Sequence, residues 1–255
     1  MIRLPSFRAI HMWQRNRDVF LRLWWSLAPA FMIEPVLLLL AVGLGFGAYI
    51  GVIEGQEYIN YIVPGILASY AMTTATFECT YGAYFRMEHR RTYDAIMATP
   101  LSIEDIVGGE VLWGATRSLI TATIIMVVAF CFGLLDSWWA LLIPAVAFLV
   151  GLLFSSLATI FVSVASSVYS FNYYFTLFIA PMTFFSGAFF PLDNLPEMVG
   201  NISPFLPLTP AVNLMRALAS GEFTPAAFGA LLTVVVATIV VFLIAAMVMR
   251  RRVME

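Results

Sequence analysis

Apolar residues dominate this chain in six long runs, at roughly 27–50, 59–80, 105–133, 138–166, 171–190 and 226–249. A helix needs about 20 predominantly apolar residues to cross the hydrocarbon core of a bilayer, so each run predicts one spanning helix. Ahead of the first run, Trp13, Phe20, Leu21, Leu23, Trp24 and Trp25 recur at three- and four-residue steps among Arg residues. That spacing predicts an amphipathic helix within 1–26 that lies in the membrane interface. Between the second and third runs stands "RMEHRRTYDAIMATPLS", residues 86–102. Here Tyr93, Ile96, Met97 and Leu101 form one apolar stripe at helical spacing, with Arg90, Arg91 and Asp94 on other faces. Pro100 stops this helix, and Ser102 with Asp105 three residues on reads as a capping box opening the third span. A separate helix of about three turns is predicted over 86–101, and its stripe needs lipid headgroups or another protein to press against; a solvated loop is the alternative.

The last long connection, 191–225, carries five Pro before Asn213, which argues against one continuous helix. Phe205, Leu206, Leu208, Val212, Leu214, Met215 and Leu218 are too apolar for a solvated loop. Short helices dipping into the outer leaflet are predicted there, with a plain loop as the alternative. No repeat or linker divides the chain, so 1–255 is expected to be one all-α membrane domain: the interfacial segment 1–26, spans one to five within 27–190, re-entrant helices over 191–225 and a sixth span at 226–249.

Composition agrees. Hydrophobic residues make up 62% and charged residues 11%, far below the roughly 25% charged of a soluble domain, and the mean hydropathy is +0.92. All 13 basic residues are Arg. Without Lys the chain has no Walker A loop and cannot be an ordinary P-loop ATPase. Cys79 and Cys131 lie in apolar runs without metal-ligand or disulfide spacing. The five Arg of the first 23 residues interrupt any apolar core there, so no cleavable secretory signal is expected. Eleven Arg fall in the N-terminal segment, the loop after the second run and the tail. The positive-inside rule makes that side cytoplasmic, and six spans put both termini there. The opposite side carries Glu54, Glu57, Asp136, Asp193, Glu197 and Glu222 with Arg216 alone.

Ionisable groups inside a bilayer are functional candidates by default, and Glu34, Glu78, Glu110 and Arg117 stand out. Glu110 and Arg117 share a helix face but lie about 10 Å apart along the axis. Each is expected to find a partner on another element, with Glu78 or the Arg90/Arg91 pair as candidates. An inner-gate network of Glu78, Glu110 and Arg117 is one reading, and snorkelling at the interface is the other. Gly43 with Gly47, and Gly151 with Ser155 and Thr159, have the small-residue spacing of close helix packing. The fifth run is rich in aromatics. Lipid-facing bulk explains many of them, while Asn172, Tyr173, Thr176, Thr183, Phe185, Ser186 and Phe189 would suit a path for an amphiphile.

The stretch "YGAYFRMEHRRTYDAIMATPLSIEDIVGGEVLWGATR" resembles the cytoplasmic coupling loop and third-span entry of ABC type-2 transporter permeases. "SGAFFPLDNLP", residues 186–196, is similar to that family's S-G-x-x-F-P-x-x-x-L-P pattern at Ser186, Gly187, Phe190, Pro191, Leu195 and Pro196. Together with "GLGFGAYIG", "AMTTATFECTYGAYFRM" and "FLPLTPAVNLMR", these pieces most resemble the nodulation protein J branch. The resemblance implies a transport subunit rather than an enzyme. It implies a homodimer of six-span permeases in a bacterial inner membrane, working with two copies of a cytoplasmic ABC ATPase that binds ATP and Mg; no cofactor is expected in this chain and no nucleic acid as partner. It implies that 86–101 is the coupling helix, with Tyr93, Ile96, Met97 and Leu101 packed into the ATPase and Arg90, Arg91 and Asp94 setting the docking orientation. The implied cargo is a lipo-oligosaccharide or lipid-linked glycan, with a hydrophobic drug as the alternative within the family.

Two other classes fare less well. An intramembrane protease needs Ser with His, or paired Asp, at membrane depth, and His11 and His89 are both placed on the cytoplasmic side. A gradient-driven transporter could use Glu34 and Glu78 as proton carriers, but it leaves the 86–101 stripe without a role.

Overall fold

The computed structural model describes residues 5–46, 49, 51–53, 56–135, 137–192 and 196–254. Arg3, Gly47, Glu54, Asp136, Asp193 and Leu195, on which parts of the sequence reading rest, lie outside the described residues.

Among the described residues the regular elements are helices and one hairpin of two-residue strands. Helix α1 spans Ala9–Arg22 and α2 spans Trp24–Leu40, which runs into a π-helical turn at Ala41–Phe46. Strands β1 (Val52–Ile53) and β2 (Gln56–Glu57) pair antiparallel. Helix α3, Tyr58–Phe77, continues through π-helical turns at Glu78–Gly82 and Phe85–His89. A short α4, Thr92–Met97, then precedes α5, Ile103–Cys131. A 3-10 turn at Trp138–Leu142 leads into α6, Ile143–Val164. Helices α7 (Ser170–Tyr174) and α8 (Ala180–Phe185) are joined by a π-helical turn, and α9 is Glu197–Ile202. Helix α10, Leu208–Ser220, ends at Gly221 in the left-handed conformation, and α11 is Pro225–Met254.

Three helices among the described residues are long and apolar enough to cross a membrane: α5, α6 with its 3-10 lead, and α11. Their surroundings differ. In its most apolar stretch α6 is 61% buried within the protein and α11 only 22%, so α6 is the central helix and α11 turns most of its surface outward. The core forms where α3, α5 and α6 meet α10 and α11, around Ile62, Ile66, Leu67, Met72, Ile125 and Phe154. The small residues of α6 serve packing inside the chain, since a Cβ at Gly151 would stand 2.6 Å from the Ala115 Cα of α5.

Helix α1 buries Ala9, Met12, Asn16 and Phe20, one face at three- and four-residue steps. That face lies on α5 at Gly109, where a Cβ would come within 2.4 Å of the Met12 Cβ. The buried face is thus narrower than the aromatic pattern suggested, with Leu21, Leu23 and Trp25 exposed.

Several boundaries differ from expectation for identifiable reasons. The fifth apolar run is helical only to Phe185, because Gly187 takes φ +80° and turns the chain away. The sixth continues past 249 through the Arg tail, where Arg250 pairs with Glu104 at 3.1 Å and Arg252 donates to the carbonyls of Val162, Ser163 and Ala165. These carbonyls are the unpaired end of α6, where a cation is favoured. Residues 86–89 extend α3 instead of opening a three-turn helix, and Arg91 breaks the path at φ 44° before the six residues of α4. The Ser102 capping box forms as its spacing predicts. Its Oγ accepts from the Asp105 N–H at 3.2 Å, and Asp105 accepts from the Ser102 N–H at 3.0 Å.

Candidate functional site

Two clusters of polar groups hold the irregular segments to the long helices. The first lies where the end of α3, α4, α1 and the start of α5 converge. Glu110, about two turns into α5 from the Ser102 cap, has a side chain only 3% exposed. It accepts from Arg86 Nε at 2.8 Å and Nη2 at 2.5 Å, a two-pronged pair that fixes both planes. The Tyr93 hydroxyl of α4 donates to the same carboxylate at 3.1 Å, and Asn16 Nδ2 of α1 at 3.2 Å. Arg86 also reaches Glu78 at 2.9 Å, and Glu78 stands 3.8 Å from Arg117. Arg117 in turn lies over the Phe20 ring of α1 at 4.6 Å.

Two carboxylates and two guanidinium groups therefore balance, which is what makes four charges tolerable in an enclosed site. Glu110, itself on α5, is touched from each of the other three elements. Burial, and then the Glu110 carboxylate, hold the Tyr93 phenol well above its ordinary pKa, so it stays a donor.

The three inner-network residues read from the sequence are thus brought together, but through a residue the sequence reading left out. Arg86, not Arg90 or Arg91, bridges Glu78 and Glu110; Arg90 and Arg91 are exposed. Its signal was its place eight residues after Glu78, on a helix that does not stop where the apolar run does. Asn16 was also missed, although it is the single polar residue on the buried face of α1. Glu34 stays apart; it is exposed, with the Tyr70 hydroxyl at 3.4 Å.

The predicted stripe of α4 does not face outward as a unit. Tyr93 is buried, and Ile96 and Met97 pack against the cluster of Met12, Tyr93 and Ile106 within the chain. The reason is Glu110: a carboxylate beneath α4 gives the Tyr hydroxyl a partner and turns the stripe inward. Asp94, Ala95, Ala98 and Thr99 form the exposed side, and Leu101 is partly buried.

The second cluster secures the Ser-Gly motif after α8. The Gly187 carbonyl accepts from the Tyr61 hydroxyl at 3.1 Å and from Arg216 Nη2 at 3.0 Å, while the Arg216 guanidinium lies 4.1 Å from the centre of the Tyr61 ring. Ser203 Oγ donates to the Phe185 carbonyl at 2.7 Å. The backbone presses so closely on α3 that a Cβ at Gly65 would fall 2.0 Å from the Ala188 oxygen. Ser186 is consequently enclosed and does not line an open surface, contrary to its place among the path residues. Asn172, Tyr173, Thr176 and Phe185 are exposed, Thr183 and Phe189 partly so, and Asn172 Oδ1 accepts from the Tyr81 hydroxyl at 3.2 Å. No group of three or more metal-ligating side chains occurs among the described residues.

Known proteins resemble this chain over most of its length. The profile of the ABC-2 type transporter family matches residues 9–220. Nodulation protein J of Rhizobium leguminosarum bv. viciae is 36% identical over 245 residues, covering 95% of this chain and 94% of the relative. Nodulation protein J of Bradyrhizobium diazoefficiens is 37% identical over 206 residues, 80% of this chain and 78% of the relative. The inner membrane transport permease YadH of Escherichia coli K12 is 24% identical over 211 residues, 80% and 79% of the two chains.

Proposed function

The chain belongs to the ABC-2 type transporter family as a multi-pass membrane permease subunit, and from that premise we propose that it serves an ATP-driven exporter of an amphiphilic lipo-oligosaccharide or lipid-linked glycan. In this reading the whole chain is one transmembrane domain in a bacterial inner membrane, with six spans and both termini in the cytoplasm. Helices α2, α3 with its extension, and α7 with α8 supply the three spans beyond the long apolar helices. Two copies face each other, and two copies of a cytoplasmic ATPase subunit bind ATP and Mg. Helices α9 and α10 lie in the outer leaflet, and α1 in the interface on the cytoplasmic side.

The observation that carries the coupling role is the convergence on Glu110. A force applied to α4 from outside reaches α5 through Tyr93, the end of α3 through Arg86, and α1 through Asn16. Such a node moves spans together because its buried hydrogen bonds are costly to break singly. The docking face is then the exposed side of α4, with Asp94, Ala95 and Ala98 central and Arg90 and Arg91 at the rim, where charges steer orientation more than they add affinity. Ile96 and Met97 contribute from its edge and Leu101 from the turn that follows. The cargo class rests on similarity to the nodulation protein J relatives, with the exposed Asn172, Tyr173, Thr176 and Phe185 as its contacts.

The test is ATPase activity of the permease reconstituted with its ATPase subunit, titrated with a lipo-oligosaccharide and separately with a lipophilic drug. Stimulation by the glycolipid and not by the drug is expected. Ala98→Arg should abolish that stimulation while leaving the thermal stability of the permease unchanged, and normal stimulation in this variant refutes the docking face.

A further inference from the structure

An apolar groove of about 490 Å³ opens between the start of α1, α5, α6 and α11, with Phe7, Leu112, Leu152, Ile239 and Phe242 among its walls. Cavities near 150 Å³ with such walls already hold a benzene-sized guest. Its three hydroxyl groups already have partners within the protein: Ser6 Oγ accepts from the Arg8 N–H at 3.2 Å, Ser156 Oγ donates to the Leu152 carbonyl at 2.7 Å and Thr238 Oγ1 to the Val234 carbonyl at 2.7 Å. Nothing along the walls therefore asks for a polar guest. The charges gather at one end only. Arg250 lies eleven residues beyond Ile239 and seven beyond Leu243, hence on the same face of α11 and about 10 Å past the groove wall. It pairs with Glu104, four residues before the groove-lining Gly108 of α5. Arg8, exposed and placed between the groove residues Phe7 and Ala9, adds a second cation; the two acids here, Glu104 and the Asp105 that accepts from the Ser6 N–H at 2.6 Å, are buried, so the charges this rim turns outward are cationic.

From the apolar walls and the cationic rim, we propose that the groove is a binding site for a phospholipid of the cytoplasmic leaflet, with one acyl chain between α5 and α11 and the phosphate at Arg8 and Arg250. Acyl chains solvate one another about as well as a Leu-lined wall does, so close packing and the headgroup contact hold the lipid, and an anionic headgroup is favoured. The proposal rests on the reading of the α11 C-terminus as cytoplasmic. It is independent of the cargo and is tested on the permease alone.

The experiment is photolabelling of the full chain in vesicles of phosphatidylcholine with a minor share of phosphatidylglycerol carrying a diazirine in one acyl chain, followed by peptide mapping. Label is expected on Ile239, Phe242 and Leu112 several-fold above Leu232 and Val236, which α11 also exposes. Ile239→Trp, which fills the groove from an exposed position, should remove the excess label. Arg8→Gln should lower it for phosphatidylglycerol and not for a phosphatidylcholine probe. Even labelling along α11 overturns the site, as does absence of label from Ile239 and Phe242. Loss of label with ATPase coupling intact sinks the lipid site alone. Label in place with no ATPase complex formed sinks the exporter reading alone.

Discussion

Glu110→Leu removes the acceptor for three donors at once. Arg86 loses contacts at 2.8 and 2.5 Å and keeps only Glu78, which Arg117 also approaches at 3.8 Å. One carboxylate then faces two guanidinium groups in an enclosed site. Breaking a buried pair by removing one partner costs about 3–5 kcal/mol, whereas replacing both partners by apolar residues is often close to neutral. The single variant should therefore be destabilised by about 3 kcal/mol or more, and Arg86→Met combined with Glu110→Leu should recover the part due to the unpaired charge, leaving Glu78 and Arg117 as a balanced pair while the Tyr93 hydroxyl and the Asn16 amide still lack their acceptor. For a chain of this size 1 kcal/mol shifts the melting temperature by roughly 2–4 °C, so the single variant should melt about 6–12 °C lower and the double variant between it and the wild type. Thermal unfolding of the purified permease in detergent, followed by tryptophan fluorescence, measures both. A single variant that melts within about 2 °C of wild type, or a double variant less stable than the single, refutes the balanced-charge account.

Arg216→Gln should loosen the clamp on Gly187 by about 2–4 kcal/mol, from the charged hydrogen bond and the stacking on Tyr61 together; amide hydrogen exchange should quicken over 186–192 and stay unchanged in α5. Tyr93 gives a pH signature. Its pKa is raised in the folded state, so its contribution to stability is complete below about pH 10 and declines as pH rises from there toward the folded-state value. Tyr93→Phe should lower stability at neutral pH by about 1–3 kcal/mol, and its melting temperature should fall less steeply than that of wild type above about pH 10; parallel curves refute the Tyr93–Glu110 contact.

What the sequence determined by itself was the class of environment and the local punctuation. Long apolar runs must be helical in a bilayer, because no water remains to satisfy exposed backbone groups, and the cores of α3, α5, α6 and α11 follow the apolar runs for that reason. The Ser102 capping box was equally legible, since a cap depends on residues three apart and on nothing distant. The sequence also singled out Glu78, Glu110 and Arg117, because a charge in an apolar run is conspicuous.

Which charge meets which was decided by the tertiary structure alone. Arg86 stands just beyond the apolar run and reads as an interface residue, yet the π-helical turns of α3 carry it back onto Glu110. The same contact decides the facing of α4. Periodicity shows that Tyr93, Ile96 and Met97 share a stripe, but an apolar stripe lies equally well on a partner or on its own chain. The choice falls to the buried carboxylate of Glu110, seventeen residues from Tyr93, because burying that acid is tolerable only where donors from several elements surround it. Arg216 shows the same limit on the other side: its use lies in a carbonyl twenty-nine residues away, and no local pattern encodes where a left-handed glycine will point its oxygen.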